Sequence, residues 1–330
     1  MSKYFYDINE DNLKEESIDN YKNSFIEYVT RPPTLKDALG QLFIKSGATK
    51  DKSEELILKI TTDIKQFLET DMEKIKNKYP NITLKDAEII SSYTYEFEKE
   101  DNQYCPYRLL NRNLVNDNRK EGINNISKYL YILLYSLRKL TRYYPKEKSK
   151  YLYRCIPSNI NLNYDQFNKK IVPYIIGNKK NFWGFTSTSP NIQTTYEFLG
   201  KNKGNKKGTI FTLTGKVWGY DISVFNICRE EEVLLEPERK FLIDEVIPPI
   251  NDIIHVRCEI LDTPLVLDNN LTSDVITIRY LINENDKKVK IFGEQFVQNN
   301  RGYFSDKCDI LFQEKKYRIS CYFNINNFVI

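Results

Sequence analysis

Three short stretches of this 330-residue chain set polar, chemically capable side chains inside apolar runs. The first is Leu152-Tyr153-Arg154-Cys155-Ile156. An arginine in the middle of an apolar strand either pairs with a buried acid or faces a cleft. Its permanent charge and planar fork suit phosphate. The second is Trp183-Gly184-Phe185-Thr186-Ser187-Thr188-Ser189-Pro190. Ser189 reads as a helix N-cap and Pro190 as a first helical residue. The same hydroxyls at a strand end could instead hydrogen-bond a ribose or an amide. The third is Arg229-Glu230-Glu231-Glu232-Val233-Leu234-Leu235. An acidic run is ordinarily a solvated face, but this one feeds straight into Val-Leu-Leu. Side chains alternate along a strand, so Glu230 and Glu232 project to one side and Glu231 to the other. Two neighbouring carboxylates can divide labour, one stabilising positive charge and the other handling a proton.

Composition narrows the chemistry further. The chain has a single histidine, His255, so a Ser-His-Asp or Cys-His machine would have to use it, and a zinc site of two or three histidines is excluded. His255 itself reads as an ordinary strand residue. The six cysteines form no C-x-x-C pair and read as reduced, mostly buried thiols of a cytoplasmic protein. Lys+Arg 49 against Asp+Glu 45 is nearly balanced, which points away from nucleic acid as a partner. The apolar run from Tyr129 to Leu137 is too short for membrane insertion.

These motifs need elements to hold them. Residues 1–50 are weakly patterned. From Asp51 to Lys78 the positions Ile57, Ile60, Ile64, Phe67/Leu68, Met72 and Ile75 recur at helical spacing, and Pro80 ends the run. Leu84–Tyr95, capped near Thr83, Leu109–Leu114 and Asn125–Leu140 read as further helices. After Pro145 short β-rich runs appear at 151–156, 171–176, 184–187, 208–214, 232–235, 240–247 and 253–261, with one helix at 190–199. Lys201–Gly208 reads as a basic hairpin loop. From about Thr263 the runs 274–282, 288–292, 308–313 and 316–323 predict a small β module of about five strands.

In this order the three motifs resemble one family, the arginine–serine–glutamate class of mono-ADP-ribosyltransferases. The matching residues are Tyr153-Arg154, Phe185-Thr186-Ser187-Thr188-Ser189 and Glu230-Glu231-Glu232 followed by the apolar strand. Flanks match as well: Leu84 to Thr94 resembles the family's opening helix, Tyr107 to Leu114 its next helix, and Gly219 to Ser223 the approach to the last motif. The chain departs from the pattern at Cys155, where the family commonly has glycine, and at Asn226, where it commonly has serine.

The resemblance implies an α+β fold, two small β-sheets around a cleft for NAD+, with helices on the N-terminal side. It implies a helical segment over 1–79, a catalytic domain over 80–262 and a small β module over 263–330. Tyr153, Arg154, Cys155, Phe185, Ser187, Thr188 and Ser189 would bind NAD+ as co-substrate, Arg154 through a phosphate. Glu232 would accept a hydrogen bond from the ribose and stabilise the positive charge that develops as nicotinamide leaves, positioned by Ser187. Glu230 would serve an arginine on a protein substrate, with Phe225 in the loop that meets it. No metal is required. Two other readings share the same residues: a NAD+ glycohydrolase with water as acceptor, and an inactive NAD-fold interaction module. Residues 263–330 are a candidate for recruiting a target.

Overall fold

The computed structural model describes residues 28, 32–116, 118–145, 151–157, 176–201, 208–250, 252–261, 282–283, 307–312 and 315–320. The chain divides into two compact units, 1–16 with 34–263, and 17–33 with 264–330.

The described part of the larger unit begins with helices. Helix α1 (Leu35–Lys45) lies in the stretch expected to be weakly patterned. A reciprocal capping box between Thr34 and Asp37 starts it, and Ala38, Leu39, Leu42 and Phe43 form its buried stripe. At 11 residues it offers only about three turns of periodicity, which is a faint signal beside a polar N-terminal segment. Helix α2 (Lys50–Lys78) buries Leu56, Ile57, Ile60, Ile64, Leu68 and Ile75 at spacings of three and four. Each fully buried Leu or Ile contributes about 1.5–3 kcal/mol. The stripe differs from expectation at one place: Asp71, not Met72, takes the inward position.

Helix α3 (Leu84–Tyr93) opens on a second capping box, Thr83 with Asp86. Burial raises the Asp86 carboxyl. Hydrogen bonds from Lys139 and Thr83 outweigh that and hold it below its usual value. Helix α4 (Pro106–Leu114) carries proline in its first turn. Helix α5 (Arg119–Leu137) starts earlier than its apolar pattern because Asn118 caps it, accepting a hydrogen bond from the Glu121 amide.

Two sheets follow. The first has strands β2 (Leu152–Ile156), β3 (Lys179–Phe182), β5 (Gly208–Gly215), β8 (Arg239–Ile250) and β9 (Ile253–Ile260), in the order β2-β5-β9-β8-β3. Only the β5–β9 pair is parallel. The second has β1 (Arg142–Tyr143), β4 (Thr186–Thr188), β6 (Gly219–Asp221) and β7 (Val233–Leu235), in the order β1-β6-β7-β4. Leu152, Phe211, Phe241, Val256 and Ile260 of the first sheet share one core with Val233 and Leu235 of the second. Strand β3 has no counterpart among the expected strands, since Lys-Lys-Asn-Phe lacks an apolar alternation. Of the strand expected at 171–176, residues 171–175 lie outside the described residues and Ile176 stands in a turn.

Helix α6 (Ile192–Lys201) begins later than Pro190. Ser189 is therefore not its cap. The backbone of Ser189 is instead bridged to Tyr153, and its hydroxyl accepts from the Asn191 amide at 3.1 Å. Most of the basic loop, residues 202–207, lies outside the described residues.

In the smaller unit, β10 (Ile282–Asn283), β12 (Lys315–Ser320) and β11 (Lys307–Phe312) form an antiparallel sheet in that order. Phe312 pairs with Lys315, so β11 and β12 form a hairpin. The strand expected at 288–292 and most of that at 274–282 lie outside the described residues.

Candidate active site

The two sheets meet at their edges. β2 is the outer strand of one and β4 the outer strand of the other. Tyr153 and Ser189 exchange both backbone hydrogen bonds at 2.8 Å and tie these edges together. A cleft of about 330 Å³ lies here, lined by Tyr153, Arg154, Cys155, Ser187, Thr188, Ser189 and residues 228–232. It falls at the small end of the range of ligand-binding clefts, ~300–1,000 Å³. Thr194, Thr195, Glu197 and Phe198 of α6 add to its wall.

Arg154 is half-buried on β2. Its Nη1 donates to the Ser187 carbonyl at 3.3 Å, and its guanidinium lies 5.7 Å from the Phe182 ring centre. Strand β4 is held from behind. Thr188 Oγ1 donates to the Val233 carbonyl at 2.6 Å. Asn111 of α4 accepts from the Phe185 amide at 2.8 Å. A β-carbon on Gly184 would stand 2.8 Å from Asn111 Oδ1, so this close approach requires glycine. Ser187 is thereby left facing the cleft between two buried threonines, Thr186 and Thr188.

Glu232 is the most constrained acid of the cleft, with 4% of its surface exposed. Its backbone is fixed on both sides: its amide donates to Ser223 Oγ at 3.0 Å and its carbonyl accepts from the Ile222 amide at 2.9 Å. Its carboxylate accepts from Asn226 Nδ2 at 3.0 Å, and the Ser187 hydroxyl lies close enough to lower its pKa. Burial, the largest influence, raises its pKa to about 7, and the charge of Glu230 adds to this. The Ser187 hydroxyl, the bond from Asn226 and the charge of Arg154 pull the other way. Glu230 is half-buried beside it and Glu231 is exposed, which is the alternation expected of the run.

Asn226 stands where the resemblance calls for serine, and its role was not visible in the sequence. It is 2% exposed. Besides holding Glu232 it accepts from the Cys228 amide at 2.8 Å, so one side chain shapes both the turn and the carboxylate. The only local signal was an amide residue six positions ahead of the glutamate.

Two expected site residues lie elsewhere. Phe185 is buried and packs against Tyr93 with ring centres 5.6 Å apart; it supports β4 from the helical side and does not line the cleft. Phe225 is fully buried and stacked on Tyr79 at 5.8 Å, so it cannot meet an incoming protein. Residues 219–221 are strand β6, and the exposed part of the loop is Cys228 and Arg229. An aromatic residue in a turn could serve either surface; packing against α2 decided for the core.

Cys155 occupies the position where glycine is common, and burial pushes its thiol up to about 12. Cys228 is exposed as a residue, but the chain around its sulfur desolvates the thiol and, with the charges of Glu96 and Glu230, pushes it up to about 11. Neither is a thiolate near neutral pH, so neither is poised as a nucleophile. Cys105, Cys155, Cys228 and Cys258 are free, and of these four only Cys105 and Cys258 are buried. His255 sits on β9 with its ring tilted against Tyr196 and does not line the cleft. Among the described residues, no group of three or more His, Cys, Asp or Glu side chains is arranged to hold a metal ion. Nor is any described helix long and apolar enough to cross a membrane.

The sequence matches no family model and no curated protein. Among solved structures the chain is similar to ADP-ribosyltransferases. One is the Vis toxin of Vibrio splendidus, at 19% identity over 62% of this chain and 86% of that one, with a TM-score of 0.38. Another is HopU1 of Pseudomonas syringae pv. tomato DC3000, at 14% identity over 73% and 97%, with a TM-score of 0.42. A third is an ADP-ribosyltransferase of Clostridium botulinum, at 17% identity over 59% and 94%, with a TM-score of 0.37.

Proposed function

We propose that this chain is a mono-ADP-ribosyltransferase of the arginine–serine–glutamate class that transfers ADP-ribose from NAD+ to arginine side chains of a protein. The observation that carries this reading is Glu232, a buried carboxylate held by Asn226 in a cleft that also contains Arg154, Ser187 and Glu230. The donor set suits NAD+: a guanidinium for a phosphate, hydroxyls for ribose and amide, and carboxylates for positive charge.

In this scheme Arg154 holds a phosphate and Ser187 keeps the Glu232 carboxylate aimed at the ribose. Glu232 stabilises the positive charge that grows on the ribose carbon as its bond to the nicotinamide nitrogen breaks. The charge is largest in the transition state, so the carboxylate lowers the barrier rather than merely binding substrate. Glu230 docks the acceptor guanidinium and takes the proton released as its nitrogen bonds the same carbon. A guanidinium with a pKa of about 12.5 or more needs such a carboxylate. Nicotinamide departs neutral, and the proton passes from Glu230 to water.

The test incubates labelled NAD+ with agmatine or polyarginine. Wild type labels the arginine compound. Glu230→Gln loses labelling but keeps nicotinamide release. Glu232→Ala loses both, by about 10²–10³ in rate. Nicotinamide release without any labelled acceptor would make water the acceptor, and a wild type that shows no turnover and no NAD+ binding would sink the reading.

A further inference from the structure

Helix α2 carries a charge inside its buried stripe. Asp71 is 7% exposed, between Leu68 and Ile75 on the inward face. Its partner comes from the turn ahead of Glu230. Arg229 Nη1 donates to Asp71 Oδ1 at 2.6 Å and Nη2 to Oδ2 at 2.7 Å. Thr70 Oγ1 adds a bond to Oδ2 at 2.9 Å. The Phe67 ring centre lies 5.0 Å from the guanidinium. A bidentate pair lying against a ring fixes the plane of the guanidinium as well as its distance.

The backbone at Arg229 has φ 60, a left-handed conformation that long side chains seldom adopt. The turn is closed by the Arg229 amide donating to the Asn226 carbonyl at 3.0 Å. Left to itself, such a turn relaxes, and Glu230 is the next residue. The two cleft carboxylates thus have separate anchors. Glu232 is fixed by Ser223, Ile222 and Asn226, and the turn that leads into Glu230 has its far end tied to α2.

We propose that the Arg229–Asp71 pair is a positioning device that sets where Glu230 stands, and so divides the product between an arginine acceptor and water. This rests on the transferase reading above. Arg229 and Asp71 need not touch substrate; they act through Glu230.

The test uses the full chain with Asp71→Asn, Arg229→Gln and the double variant. The ratio of labelled agmatine to released nicotinamide is measured, together with amide hydrogen exchange over residues 227–230. Each single variant is expected to lower the ratio by about tenfold, since displacing a positioned group by an ångström can cost ~10²-fold. Acceptor-free nicotinamide release by Asp71→Asn is expected to stay within about twofold, because Glu232 keeps its own anchors. The double variant loses no more than either single one, and the turn amides exchange faster in all three. A ratio and exchange rates unchanged in the single variants would overturn the proposal, as would a double loss equal to the product of the single losses. Arg229 is half-exposed, so Arg229→Gln keeps the test decisive if Asp71→Asn fails to fold. A wild type that releases no nicotinamide would refute the transferase reading, while the exchange measurements would still decide whether the pair holds the turn.

Discussion

Replacing Asn226 by alanine removes a charge-assisted hydrogen bond, 3.0 Å long, from a carboxylate that is almost wholly buried. Glu232 already sits at about 7, because burial and Glu230 outweigh Ser187, Asn226 and Arg154. Glu232 must be ionised to stabilise a cation, so nicotinamide release rises with pH through that value. A hydrogen bond to a charged group contributes about 1.5–3 kcal/mol. One pH unit corresponds to about 1.4 kcal/mol, so the acidic limb moves upward by about one to two units. With a shift of one unit, the ionised fraction at pH 7 falls from about a half to about a tenth, a roughly fivefold loss that pH 9 restores. The assay is acceptor-free nicotinamide release from pH 5 to 9. An acidic limb that keeps its midpoint while its plateau drops would show Asn226 to be structural only. A wild-type limb near 4.5 would refute the premise that burial governs Glu232. Stability runs the other way. The folded chain holds this proton more tightly than the unfolded one, so the group's favourable contribution is complete below the unfolded value and is lost as pH rises through about 7.

Other outcomes follow from the same packing. Glu236 is buried against Arg138, with bonds of 3.1 and 2.9 Å, and accepts from Tyr220 at 2.7 Å. Glu236→Gln leaves the largely buried Arg138 charge without its carboxylate, and urea unfolding should show a loss of about 3–5 kcal/mol with an unchanged m-value. Phe225→Ala opens a cavity beside Tyr79 and should cost about 3–5 kcal/mol by the same measurement. The ratio of transfer to hydrolysis in its folded fraction should stay as in wild type; a changed ratio with intact stability would place that ring on the acceptor after all.

The order of the three motifs was legible because each is a local pattern. A charge in an apolar strand, hydroxyls at a strand end and an acidic run entering Val-Leu-Leu can each be read over fewer than ten residues. Helix α2 was legible from its stripe, and α3 from Thr83 as its cap. What failed was what packing decides. Phe185 and Phe225 are aromatic residues in the right stretches, but each had two surfaces to choose from, and burial against Tyr93 and Tyr79 settled both. Ser189 reads as a cap by type, yet the edge-to-edge bridge with Tyr153 claimed its backbone and delayed α6.

The sequence by itself determined which chemistries were within reach. One histidine left carboxylates, hydroxyls and a guanidinium to do the work, and strand alternation put Glu230 and Glu232 on one side. Only the tertiary structure decided how those groups behave. It placed Arg154 against Ser187, 33 residues apart in the chain, and Arg229 against Asp71, 158 apart. It also raised the proton affinity of Glu232. Spacing encodes periodicity, and periodicity is local. Desolvation and ion pairing depend on what the rest of the chain packs around a group, and no window of sequence contains that.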